Sequence, residues 1–165
     1  MLGFKPLVPS RICLSCKGCC RFINKNTVWQ PHLTAEERLV FKNKGYFEKD
    51  FNKKLVEAQR RGKLFYCQFF SSPQNSCRIY RFRPFECRLY PLVLTVDKGV
   101  IMLAAHLACP FILSNLNTKE FKRYVEYLRK YFFKNETRKF IKANPAIAQN
   151  YKNYKKELIF LFSIS

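Results

Sequence analysis

The chain has 165 residues, with 31 Lys and Arg against 11 Asp and Glu, for a formal charge of +20 at pH 7. That length suits a single domain with a core of its own, and 48% hydrophobic residues, 17 Phe and 9 Tyr among them, exclude an intrinsically disordered chain. No apolar run reaches the roughly 18 residues of a membrane span. The N-terminal stretch MLGFKPLVPSRIC lacks the apolar core and small-residue cleavage site of a secretory signal, so the reducing cytoplasm is the expected compartment.

In chain order, residues 1–33 read as irregular, because Pro6, Pro9 and Pro31 interrupt any regular element around the thiol-dense loop ICLSCKGCCRF at 12–22. A capping box, TAEE with Thr34 as N-cap and Glu37 three residues on, opens a helix that Gly45 ends. A second helix is predicted over about 48–61, closed at Gly62. KLFYCQFF (63–70) reads as a strand and SSPQNS (71–76) as a turn. Residues 77–91 are too rich in Pro and Arg for a regular element. LVLTV (92–96), DKG (97–99) and VIMLA (100–104) predict a hairpin with a three-residue loop. From Asn117 on there is no cysteine and only helical patterning. Phe121, Val125, Leu128 and Phe132 share one face of a helix capped near Asn117 or Thr118, and Lys122 pairs with Glu126 at i, i+4. A last helix is predicted from Pro145 towards Phe160. The expected fold is α+β: an irregular cysteine-rich metal-binding core with a short hairpin, packed by several helices. Residues 1–116 are read as the cysteine-cluster domain and 117–165 as a helical extension packed on it in one compact unit.

Eight cysteines stand at 13, 16, 19, 20, 67, 77, 87 and 109. In a reducing compartment disulfides are rare, and metal binding is the chemistry such clustering suits. Cys13, Cys16 and Cys19 form C-x2-C-x2-C. A third ligand from one loop is surplus for a tetrahedral zinc, which takes two from each of two loops. It suits an iron–sulfur cube, and Cys109-Pro110 supplies the Cys-Pro pair that such runs carry. Cys19 and Cys20 are expected to face different centres, or one of them to stand behind the ligands. Zinc and iron–sulfur both remain open, and all eight cysteines are candidate ligands. In CRIYRFRPFECRLYP (77–91) arginines alternate with aromatics. Arg83 and Arg88 are the candidate cofactor-binding residues, either donating to a negatively charged centre or clamping an anionic ligand. His106 and His32 read as structural residues.

CxxCxxCC at 13–20, the Cys67-Gln-Phe, CRIYRFRP (77–84) and CRLYP (87–91) stretches, and LTAEE at 33–37 together resemble the YkgJ-type cysteine-cluster family. The resemblance runs over about residues 13–110, and Cys109 fits a less regular eighth position. Lys17-Gly18 and Arg81 depart from the usual pattern. The resemblance implies a zinc- or iron-chelating domain. Its kinship with flagellin lysine N-methylases implies methyl transfer and S-adenosylmethionine as a further possibility. The residues themselves carry no Gly-rich cofactor fingerprint and no Ser-His-Asp motif, so enzyme activity stays open. The expected function is metal binding through clustered cysteines, supporting redox or protein-modifying chemistry. The alternative is a zinc-stabilised module whose basic surface takes nucleic acid or an acidic protein, a preference that the charge supports.

Overall fold

A computed structural model describes residues 3–16, 18–46, 51–52 and 55–164. The fold is α+β and divides into two units, one running from Val8 to Arg88, the other holding Leu89–Ser165 together with Leu2–Leu7.

The first unit opens with α1 (Ser10–Cys16) and a 3-10 turn at Gly18–Cys20, which leads into β1 (Arg21–Phe22). In α2 (Ala35–Asn43) the capping box is fully formed: Thr34 accepts from the Glu37 N–H, and the Glu37 carboxylate accepts from the Thr34 N–H. Then come β2 (Phe51–Asn52), β3 (Leu55–Val56), β4 (Ala58–Arg61), β5 (Leu64–Cys67), β6 (Phe70–Ser71) and β7 (Ser76–Cys77). They pair as an antiparallel β1-β5-β4 sheet and two small ladders, β2 with β3 and β6 with β7. A 3-10 turn at Tyr80–Phe82 leads to α3 (Phe85–Leu89). The apolar centre gathers on Phe41, whose ring lies 5.8 Å from Phe69, 5.6 Å from Tyr46 and 5.7 Å from Phe82.

In the second unit β8 (Leu92–Asp97) and β9 (Val100–His106) form the hairpin, followed by α4 (Pro110–Asn115), α5 (Lys119–Phe132), α6 (Asn135–Ala143), β10 (Ala148–Gln149) and β11 (Leu158–Ser163). The sheet order is β10-β8-β9-β11, with only the β10–β8 pair parallel. Thr118 caps α5 by accepting from the Phe121 N–H. The helix buries Phe121, Leu128, Tyr131 and Phe132. Tyr131 packs on Phe4, and Phe132 on Phe162 of the last strand.

Several expectations are corrected. The first 33 residues hold a helix and a 3-10 turn. Residues 58–61 are strand rather than helix, and so are 51–52 and 55–56; 48–50 and 53–54 lie outside the described residues. Gly62 has φ +62° because it turns β4 into β5, a positive φ that a turn and a helix end both require. The predicted 63–70 strand is split into β5 and β6 by a turn at Gln68-Phe69, and 77–91 is largely helical. The hairpin loop has two residues, since Asp97 pairs with Val100. Lys98 and Gly99, at φ 50° and 80°, match the twist of the flanking strands. The last predicted helix is two 3-10 turns and two strands, and α4 and α6 were not foreseen.

Candidate metal centre

Three short elements and two strand ends bring thiols to one place. Cys13 comes from α1, Cys19 and Cys20 from the following 3-10 turn, Cys67 from the end of β5, Cys77 from the end of β7 and Cys87 from α3. All six line one cavity of about 50 Å³. Cys19 and Cys20 both line it. In a 3-10 turn successive side chains are about 120° apart, so both can reach a space that wraps the turn.

The backbone prepares two of these sulfurs. The chain turns sharply after Cys67, so the N–H groups of Phe69 and Phe70 donate to its sulfur. After Cys77 the N–H of Ile79 does the same. Such bonds favour a thiolate over a thiol. The two turns are locked to each other: the Arg78 N–H donates to the Phe69 carbonyl at 2.9 Å and its Nη2 to the Gln68 carbonyl at 2.6 Å.

Burial opposes ionisation. It pushes Cys67 up to about 12 and raises Cys77 and Cys87, and Cys87 is raised further by repulsion from Cys19, Cys67 and Cys77. A chain of thiol hydrogen bonds runs from Cys13 to Cys19 to Cys20. Donation to Cys19, then burial, raises the Cys13 thiol above its ordinary range. Cys19 is lowered by that bond but raised more by its own donation to Cys20 and by burial. Cys20 is lowered by Cys19, yet burial and repulsion from Cys67, Cys87 and Cys77 raise it overall. Every pair among Cys20, Cys67, Cys77 and Cys87 therefore repels if ionised. A cation placed among these sulfurs would offset that repulsion and favour their thiolate forms.

Arg83 is the one charged side chain among the described residues that line the cavity. It is 8% exposed, its Nη1 lies 3.3 Å from the Cys13 sulfur, and its guanidinium covers the Tyr80 ring at 4.1 Å. Burial lowers its pKa, but Cys13, Tyr80 and Cys87 outweigh that and raise it overall. Arg88 is placed differently: its Nη2 is 3.9 Å from Glu37 Oε1. Glu37 is itself buried and also accepts from the Phe85 N–H. Glu86, next to Cys87, accepts from the His32 backbone N–H, and its carboxylate is 3.6 Å from His32 Nδ1.

Two predicted ligands, Cys16 and Cys109, are not among the residues that line this cavity. Cys16 is exposed at the end of α1. Cys109 is buried at the N-cap of α4 in the second unit. His106, in that same unit, hydrogen-bonds Tyr90 and Glu157. The sequence reading missed Glu37 as a partner of Arg88 and Tyr80 as a wall of the cavity. The aromatic spacing of IYRFR was the only signal for Tyr80.

Among the described residues no three His, Cys, Asp or Glu side chains close on one point at ligating distance. The six thiols line the cavity wall. A donor set made only of sulfur, with backbone N–H groups aimed at it, fits a thiophilic metal such as zinc or iron. The sequence profile of the CxxCxxCC family, described as "Putative zinc- or iron-chelating domain", matches residues 12–126. The chain belongs to this family, and the match extends past the expected 13–110 into α5. No curated protein and no solved structure matches the chain. Metal chelation through cysteine is thus the function that family and donor set share.

Proposed function

We propose that the protein holds an iron–sulfur cluster in the six-thiol cavity and serves a redox role. One observation carries the reading: six thiols and, among the described residues, no His, Asp or Glu line one space, and an all-cysteine set of four is what holds an iron–sulfur cluster. Cys20, Cys67, Cys77 and Cys87, which all interact with one another, are the proposed ligands, with Cys13 and Cys19 beside them under Arg83. When bound, a cluster of this kind supplies one-electron transfer. The chain's part is to exclude water with Val56, Phe69 and Ile79, to direct N–H groups at Cys67 and Cys77, and to set the buried Arg83 charge beside the thiolates.

Anaerobic purification followed by iron, sulfide and zinc analysis tests this. Brown protein containing iron and acid-labile sulfide is expected. Colourless protein carrying stoichiometric zinc would overturn the cluster and favour a second reading, a zinc-stabilised module with a basic binding face. That reading draws on Lys119, Lys122, Arg123 and Lys130, all exposed on α5, and predicts polyanion binding that weakens steeply with salt.

A further inference from the structure

We infer that the Tyr80 hydroxyl donates a hydrogen bond to a sulfur of the bound metal centre, with Arg83 fixing the ring that carries it. This rests on the reading of the cavity as a metal site. The Tyr80 Oη is buried and has no hydrogen-bond partner among the described residues, and Tyr80 lines the cavity that the six thiols line. Buried hydroxyls are nearly always satisfied, so an orphan asks what completes it.

The local geometry narrows the answer to the cavity's contents. Tyr80 follows Cys77 by three residues and begins the 3-10 turn Tyr80–Phe82, which the Phe82 N–H closes on the Ile79 carbonyl at 3.0 Å. The Ile79 N–H is already committed to the Cys77 sulfur. Arg83 covers the ring at 4.1 Å while its Nη1 reaches Cys13 at 3.3 Å. Arg83 thus ties the ring to the Cys13 segment, and swinging the ring to water would break the stack. A phenol is a strong donor, whereas a neutral thiol is a weak acceptor. Metal-bound thiolates and cluster sulfides are strong acceptors, and a bound centre would bring them into the cavity that Tyr80 lines.

A donor on sulfur withdraws electron density and favours the reduced, more negative state of the centre. Tyr80 is thus a tuning residue. Tyr80→Phe keeps the ring under Arg83 and removes only the oxygen. In wild-type and variant protein reconstituted anaerobically with iron and sulfide, the variant is expected to keep its iron and sulfide content. Its midpoint potential should become more negative, and its sulfur-to-iron absorption should shift. Melting supplies a second measurement, and it serves zinc-loaded protein equally. The variant should melt no lower than wild type without metal, where it loses an unmade bond, and lower than wild type with metal, where it loses a made one. Unchanged potential and absorption, or a melting change of the same sign in both states, would overturn the role of Tyr80 alone. Wild-type protein that takes up neither iron nor zinc would overturn the metal reading of the cavity, and this role with it.

Discussion

The Arg83 guanidinium makes two contacts with one planar group: an edge on the Cys13 sulfur and a face on the Tyr80 ring. Lysine carries the charge but lacks the fork and the flat face. Replacing Arg83 by Ala leaves a buried sulfur without its donor and a ring without its cover. It should cost roughly 2 kcal/mol of unfolding free energy, read from denaturant midpoints, and lower metal retention. Arg83→Lys should recover part of the retention and little of the stability. A variant with wild-type stability and metal content would show that the guanidinium is incidental. Arg88 shares a sequence patch with Arg83 yet points to Glu37. The shared patch could not separate them, because Arg83 ends the turn at Tyr80–Phe82 whereas Arg88 lies within α3.

Among the elements, α2 and α3 are joined by one carboxylate. Glu37 closes the capping box of α2, accepts from the Phe85 N–H at the start of α3 and faces Arg88. Glu37→Ala removes the carboxylate half of the capping box and leaves the Thr34 and Phe85 N–H groups and the Arg88 cation less well paired, so a loss on the order of 3 kcal/mol is expected by chemical denaturation. A loss below about 1 kcal/mol would reduce it to an ordinary cap. The end of β9 is held to the start of β11 by His106, between the Tyr90 hydroxyl and the Glu157 carboxylate. Burial keeps this imidazole below its ordinary 6.5, against the pull of Glu157. The unfolded chain then binds the proton more readily, so the His106 contribution is complete above pH 6.5 and is lost as pH falls towards the folded value. Metal-free protein should show a stability slope below pH 6.5 that His106→Gln lessens; identical slopes would exclude the group.

These elements show what local sequence reveals. Thr34 with Glu37, the α5 face and the 92–104 hairpin were legible because the signal and the structure occupy the same few residues. The 58–61 strand was not, since AQRR has no period-2 apolar pattern and its identity comes from pairing with Leu64–Cys67. LIFLFS was assigned to a helix end because a short apolar run fits either state. Pairing with β9 across some fifty residues makes it a strand. The cysteine positions were visible. Which six of the eight share a cavity was not, because that depends on turns closed by backbone hydrogen bonds.

On the scale of the whole molecule the two units have unequal means of support. In Val8–Arg88 the strands are two to four residues long and six thiols line one cavity. In Leu89–Ser165 strands of six and seven residues pack with a fourteen-residue helix. Metal binding is coupled to folding where the ligands are gathered from separate short segments. Chelation should therefore speed amide exchange in β4, β5 and the β6–β7 ladder and leave β8 and β9 protected. Equal loss in both units would mean that they fold as one. The central claim, a metal held only by cysteines of this cavity, is tested most directly by X-ray absorption at the metal edge in wild-type protein and in Cys67→Ser and Cys109→Ser variants. The account predicts a first shell of sulfur alone, preserved with full metal content in Cys109→Ser and lost with the metal in Cys67→Ser. A shell containing nitrogen or oxygen, or metal lost on changing Cys109 and kept on changing Cys67, would contradict it.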